Sequence, residues 1–329
     1  MANNFDFFNS PLVSVVVPVY NGEKYINDLL ISLEAQTYQN FEAIFINDGS
    51  TDDSEKILLN IVKKTTNNKY KVFTQKNKGV SAARNVGIRE SKGKYIAFVD
   101  IDDLLQPSFL QEMVKSIFDE NTVAICQTSD KEESITDEII IRKLSDTELL
   151  RNFLYGKIRT GVCGMLIPAQ ILQKNTLQFA EGYKYSEDLH MLWRIFCNIK
   201  QASLLEAPLY IYRKNQGSAM TKINDDRLDS IKLIKSLDSY ISEKKPEFYL
   251  EFHKYSVPRM SWSLLWQCAH FLAYNDFKCF IKKYDFSYDM KQLFDYPEFR
   301  VSITAYLFCY SNFLYYCIAK IASCRYRRV

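Results

Sequence analysis

The amino-acid sequence predicts an α/β protein: a doubly wound, mostly parallel sheet flanked by helices, with a helical region at its C-terminal end. Three observations carry that prediction. Short β-branched runs alternate with segments of helical period, those runs lack the polar alternation of a half-exposed sheet, and the period turns helical throughout from about Asp225 onward.

Ser14 to Val19, SVVVPV, is the first such run and suits a strand buried on both faces; Tyr20, Asn21 and Gly22 break it. Tyr25, Ile26, Leu29, Leu30 and Leu33 then recur at helical spacing, which predicts an amphipathic helix over Glu23 to Ala35. Phe41 to Ile46 is a second buried strand, running into the polar turn Asn47-Asp48-Gly49-Ser50-Thr51-Asp52-Asp53. A helix follows, with Ser50 or Thr51 as its N-cap and Asp52 and Asp53 at its positive end. Lys71 to Thr74 is a short third strand, and Val80 to Arg89 a helix whose small residues allow close approach to the sheet or to a ligand. Tyr95 to Val99 is a fourth strand, again buried. Past Pro107 the pattern predicts helices over Ser108 to Phe118, Leu144 to Leu154 and Glu187 to Phe196. Strands are expected over Val123 to Thr128, Val162 to Ile167 and Pro208 to Arg213, and a surface loop over Ser129 to Asp137. Pro246, Pro258 and Pro297 are expected to break the helical region.

A chain of 329 residues, 25% charged and 47% hydrophobic, is an ordinary globular one with room for a substantial core. Its 42 basic and 39 acidic residues nearly cancel, so global charge offers nothing to nucleic acid. Eight cysteines without a CxxC pair read as reduced thiols of a cytoplasmic protein, and MANNFDFFNS lacks the basic and apolar regions of a signal peptide.

Chemistry concentrates where the fourth strand ends, in Asp100, Asp102 and Asp103. Carboxylates this close repel one another unless a cation sits among them, and oxygen-only ligands suit a hard divalent ion such as Mg2+ or Mn2+. By itself the pattern reads more readily as an acidic turn capping the helix after Pro107. In doubly wound sheets, however, ligands bind outside the carboxyl ends of the strands. Asn21, Asp48 and the aspartate cluster all fall at such ends and therefore share one rim.

Five segments, SVVVPVYN, FINDGSTDDS, NKGVSAARNVGI, YIAFVDIDD and the SED of Ser186 to Asp188, occur in that order within about Val13 to Ser218. Together they resemble the family 2 glycosyltransferases, whose GT-A fold is Rossmann-like. The resemblance implies a catalytic domain over residues 1–224, with a nucleotide-sugar half at about 13–128 and an acceptor half at about 144–222, followed by a helical region over 225–329. It implies an enzyme of cell-surface polysaccharide or glycan assembly, inverting and dependent on Mg2+ or Mn2+. The donor would be a nucleotide-sugar, a UDP-sugar above others, and the acceptor a glycan or lipid-linked oligosaccharide.

Residue by residue, the resemblance makes Asp102 and Asp100 metal ligands, with Asp100 also facing the ribose and Asp103 either behind them or capping a helix. Asp48 would accept from a nucleobase N–H, and Pro18, Tyr20 and Asn21 would edge the nucleotide pocket. Arg84 would brace Asp100 or Asp48 or touch the diphosphate. Asp188 would be the base that deprotonates the acceptor hydroxyl, and Glu187 would contact the acceptor or orient its loop. Plainer readings exist for several: an Asx-turn at Asp48-Gly49, a strand terminator at Asn21, a favourable helix start at Asp188. One departure stands out. Many relatives carry Arg-x-His where Arg213 is followed here by Asn215, a weaker ligand; Arg213 and Ser218 would still meet the diphosphate in a closing loop. A nucleotide-sugar binder without catalysis would not need Asp188, and a sugar nucleotidyltransferase would carry a glycine-rich loop where Tyr20-Asn21-Gly22-Glu23 stands.

Val301 to Ala319 carries no charge, and Lys320, Arg325, Arg327 and Arg328 follow. Polar and tyrosine positions dilute this stretch as a bilayer span, so residues 301–329 read as a helix lying peripherally on the inner face of the cytoplasmic membrane. A helix packed on the domain or forming a dimer interface is the lesser alternative from the same pattern.

Overall fold

The computed structural model describes residues 10–65, 69–131, 138–213 and 224–326. They form two compact units. The first comprises the described residues of Met1–Leu150, Arg159–Gly182 and Glu187–Lys214; the second, those of Arg151–Ile158, Tyr183–Ser186 and Asn215–Val329. Two short segments that the sequence assigned to the catalytic domain thus belong to the helical unit.

In the first unit β1 (Val13–Val19), β2 (Phe41–Asn47), β3 (Tyr70–Thr74) and β4 (Tyr95–Phe98) pair in parallel in the order β3-β2-β1-β4. They alternate with α1 (Ile26–Glu34), α2 (Ser54–Lys64) and α3 (Val80–Glu90). Every residue of β1 and β2 is buried, which is why these runs show no polar alternation. Beyond β4 the sheet becomes mixed. The strand β8 (Met165–Pro168) pairs antiparallel with β4 and with β6 (Thr122–Ser129), and β6 runs parallel to β9 (Gln201–Ile211). Two further strands, β5 (Leu104–Leu105) and β7 (Ile141–Ser145), lie antiparallel on β9.

The departures from expectation have local causes. Helix α2 starts at Ser54, not after Ser50 or Thr51, because those two residues are engaged with Asn21: the Asn21 N–H donates to Ser50 Oγ at 3.0 Å and the Thr51 N–H to Asn21 Oδ1 at 2.8 Å. Strand β9 begins at Gln201, well ahead of Pro208, because the proline sits opposite Gln127 where the register shifts, and a bulge tolerates a residue without an N–H. The unforeseen β7 is mostly exposed and the unforeseen β5 only two residues long, so neither carries an apolar period. Helices α4 (Phe109–Lys115), α5 (Asp146–Leu154), α6 (Ala169–Lys174) and α7 (Glu187–Cys197) complete the order up to β9, α6 also unforeseen.

Pro18 shapes the mouth of the sheet. The Val99 N–H donates to the Val16 carbonyl at 3.0 Å, and strand parity turns residue 18 toward the same neighbour, β4. A proline cannot donate the next rung. The β1–β4 register accordingly stops at Val16 and Phe98, while β1 and β2 stay paired to Val19 and Asn47. The chain after β4 is thereby free to turn away, and the three aspartates emerge there.

In the second unit α10 (Pro246–Phe271) packs with α8 (Asp229–Ser236), α9 (Asp238–Lys244), α12 (Ser287–Gln292) and α14 (Asn312–Tyr326); α11 (Tyr274–Lys283) and α13 (Phe299–Tyr310) complete it. Pro246 starts α10, but Pro258 lies inside it rather than breaking it. Packing on several sides outweighs the ~3 kcal/mol an interior proline costs.

Helix α3 crosses β1 closely: a Cβ on Gly87 would stand 2.1 Å from Val16 Cγ1. Gly87→Ala is expected to push α3 off the sheet and destabilise the fold by about 1–3 kcal/mol, read by urea unfolding.

Candidate functional site

Helix α3 delivers Arg84, only 2% exposed, to the carboxyl ends of the strands. Its Nη2 donates to Asp100 Oδ1 at 2.8 Å and its Nη1 to Asp188 Oδ1 at 2.5 Å, with Glu187 Oε1 3.6 Å away. The guanidinium lies over the Phe179 ring at 5.3 Å, and its Nε is buried without a partner. Burial acts against the Arg84 charge, but Asp188 and Asp100 together lift its pKa well above the usual value. Burial likewise raises the Asp188 carboxyl, with Arg84 opposing. Glu187 is pushed up to about 7, first by burial and then by the charge of Asp188, again against Arg84.

The aspartates divide their work. Asp100 leaves β4 with its side chain 36% exposed. Asp103 is buried with both oxygens engaged: it accepts from the Tyr210 hydroxyl at 2.7 Å and from the Arg213 N–H at 3.0 Å. It caps no helix, since α4 starts at Phe109 with Ser108 before it. Burial pushes Asp103 up to about 7; those two hydrogen bonds oppose the rise, and Asp100 and Asp102 add to it. The Tyr210 hydroxyl also accepts the Asp100 N–H at 3.2 Å, so one buried tyrosine fixes both ends of the turn. Asp102, half-buried, gives its carbonyl to Arg213 Nε, while Arg213 Nη1 donates to Asp28 at 2.7 Å and its guanidinium covers the Tyr25 ring at 5.2 Å. Arg213 is thus fastened to the aspartate turn.

Asp48, at the end of β2, is buried and accepts three hydrogen bonds from the segment leading into α3: Gln75 Nε2 at 2.6 Å, Lys78 N at 2.9 Å and Gly79 N at 2.8 Å. A carboxylate has about four acceptor sites, so one remains for a ligand. Gly49 turns the chain with φ 68°, and a Cβ there would stand 2.7 Å from the Asn77 nitrogen. Asn21 holds a left-handed φ of 50°, which asparagine tolerates, and bridges the turns after β1 and β2; Tyr20 beside it is exposed and Pro18 is buried within β1.

Asp100, Arg84, Glu187 and Asp188 therefore form one connected cluster, and Asp103, Tyr210 and Arg213 secure the turn beside it. Asp48, Asn21 and Tyr20 lie at the ends of β1 and β2 on the same rim. Of the two carboxylates that Arg84 was expected to brace, it meets Asp100; Asp48 instead holds the segment ahead of α3. Asn215 and Ser218 lie outside the described residues. Sequence reasoning missed Tyr210, one tyrosine among 22. It also missed Cys163, whose thiol stands in the fields of Asp100, Arg84 and Asp188 and is pushed well up, chiefly by burial. Neither residue carries a local pattern that marks it.

Among the described residues no group of three or more His, Cys, Asp or Glu side chains is arranged to hold a metal alone. The donor set fits the other mode. Magnesium-type ions are held by one or two carboxylates while substrate phosphates complete the shell, and Asp100 and Asp102 are the carboxylates at the turn that Asp103 does not share.

Residues 14–175 match the model of Glycosyl transferase family 2. Glycosyltransferase GlyG of Streptococcus pneumoniae serotype 4 is 30% identical over 225 residues, 64% of this chain and 73% of GlyG. The chain belongs to glycosyl transferase family 2. A further relative, the glycosyltransferase EpsJ of Bacillus subtilis, is 31% identical over 63% of this chain and 62% of its own length. The match thus spans under two thirds of EpsJ. The fold of this family 2 chain is similar to that of S. aureus TarS 1-349 in complex with UDP-GlcNAc, with a TM-score of 0.64, 22% identity and coverage of 96% and 91%. It is also similar to the mannosyltransferase PcManGT of Pyrobaculum calidifontis in complex with GDP-Man and Mn2+, with a TM-score of 0.56, 15% identity and coverage of 93% and 89%. The central sheet, its flanking helices and the helical C-terminal region are those of a GT-A glycosyltransferase.

Glu187 sets a pH dependence. Its folded pKa, about 7, lies above its ordinary value, so its contribution to stability is present in full below about 4.5 and is lost as pH rises through about 7. Glu187→Gln is expected to flatten the fall in unfolding free energy between those limits, by on the order of 2 kcal/mol, in urea titrations of metal-free protein at several pH values.

Proposed function

We propose that this family 2 glycosyltransferase moves a sugar from a nucleotide-sugar donor, a UDP-sugar above others, to a hydroxyl of a glycan or lipid-linked oligosaccharide, with inversion. The observation that carries the reading is the Arg84 bridge, which joins Asp100 on the donor side to Asp188 through one buried cation. Inversion requires a base on the sugar face opposite the leaving group. Asp188 Oδ1 takes the Arg84 hydrogen bond, which leaves Oδ2 for the acceptor hydroxyl. As the acceptor oxygen bonds to the anomeric carbon, its proton passes to Asp188, the carbon–oxygen bond to the diphosphate breaks, and the nucleoside diphosphate departs. Burial raises the Asp188 pKa and so strengthens it as a base. Glu187, one position earlier on α7, borders the acceptor side.

A divalent ion held by Asp102 and Asp100 supplies positive charge to the leaving diphosphate oxygens when bound. At the nucleotide end the remaining acceptor site of Asp48 takes a nucleobase N–H, and exposed Tyr20 offers its ring for stacking. The UDP-GlcNAc bound by TarS and the GDP-Man and Mn2+ bound by PcManGT support this class of donor and ion.

Release of nucleoside diphosphate from a panel of UDP-, GDP- and dTDP-sugars, with and without EDTA, tests the reading. Asp188→Asn is expected to lower kcat by roughly 10²–10⁴-fold while donor affinity is kept. Asp102→Asn and EDTA are each expected to abolish release, and full turnover by either variant removes the role given to that residue.

A further inference from the structure

The helices α13 and α14 present an apolar surface that the second unit leaves uncovered. On α13, Phe299, Ile303, Tyr306 and Tyr310 fall at i, i+4, i+7 and i+11 and so share a face, with exposures of 40% to 85%. On α14, Leu314, Ile318 and Ile321 repeat the pattern at i, i+4 and i+7, exposed by 38% to 62%. The opposite sides are used already: Val301, Ala305 and Phe308 of α13 and Tyr315 and Ala319 of α14 are buried. A single exposed leucine needs no explanation, but an exposed apolar stripe on each of two successive helices, joined through Ser311, is the kind of feature that marks an interaction site.

Charge selects the occupant. From Arg300 to Val329 the chain carries five basic residues, Arg300, Lys320, Arg325, Arg327 and Arg328, and no acidic one. A second copy of the same surface would set these charges against their like, whereas anionic headgroups complement them. Three of the exposed side chains named on α13 are aromatic, the type that settles at headgroup depth. Among the described residues no helix is long and apolar enough to cross a membrane, so contact would be along the surface. We propose that α13 and α14 dock this chain on an anionic lipid bilayer, their exposed aromatic and aliphatic side chains in the interface, with the net positive charge of the sequence from Arg300 onward favouring anionic headgroups. The placement does not depend on which donor the sheet unit takes.

The test is cosedimentation of the full chain with vesicles of equal parts phosphatidylglycerol and phosphatidylcholine, and with phosphatidylcholine alone. The protein is expected to pellet with the mixed vesicles and to remain in solution with the neutral ones. The double substitution Phe299→Ser, Tyr310→Ser removes only exposed side chains; it should leave thermal unfolding unchanged while lowering the bound fraction by more than about tenfold. Arg325→Gln, Arg327→Gln and Arg328→Gln together should lower it by a similar factor. Binding that is indifferent to phosphatidylglycerol, or unchanged by the Phe299 and Tyr310 substitutions, overturns the proposal. So does a wild-type chain that ignores both vesicles and self-associates in sedimentation velocity until the same pair of substitutions releases monomers.

Discussion

The Arg84 guanidinium, buried and in contact with Asp100 and Asp188, is the constraint on which the rest of the site depends. Removed from water, a lone guanidinium or a lone carboxylate is costly; together they offset one another only because the geometry is close and hydrogen-bonded. Taking Arg84 away would leave Asp100, Glu187 and Asp188 facing each other in a half-buried space, a change of the size, about 3–5 kcal/mol, associated with breaking a buried pair. Such an arrangement is kept for position more than for stability. It holds two acidic groups from distant parts of the chain at fixed points around one cation.

Around that bridge the neighbouring contacts act as supports. Tyr210 and the Arg213 N–H absorb Asp103, so the third aspartate of the turn anchors the loop rather than facing outward. The reciprocal hydrogen bonds of Asn21 with Ser50 and Thr51, and of Glu23 with Asp52 and Asp53, tie the turns after β1 and β2 to each other. Loops that carry function are thereby given the rigidity that strands and helices have by themselves.

The fold of the first unit was legible in the sequence where burial is uniform and the period clean: β1, β2, β4, α3 and α7 lie within a few residues of their expected positions. It was not legible where structure arises from long-range pairing. Strand β7 exists because β9 offers an edge to it, and β9 extends upstream of Pro208 because a bulge accommodates the proline. The cluster at the carboxyl ends could be listed from its motifs but not assembled from them. That Arg84 meets Asp188 across 104 positions, or that one tyrosine fixes Asp100 and Asp103, is set by how α7 and β9 fold back on the sheet, and no local pattern encodes it.

Asp48 gains a wider meaning from its three partners. By holding the amides of Lys78 and Gly79 it holds the two residues that lead into α3, the same helix that carries Arg84. Val80, the first residue of α3, and Arg84 are separated by four helical steps, a rise of about 6 Å. The start of the helix therefore works as a ruler: the residues entering it are pinned to the carboxylate after β2, and Arg84, one turn in, to the carboxylates after β4 and at the start of α7. The interval between those two points is a length written into the first turn of α3, and an insertion or deletion between Gly79 and Arg84 would change it without altering any residue of the site.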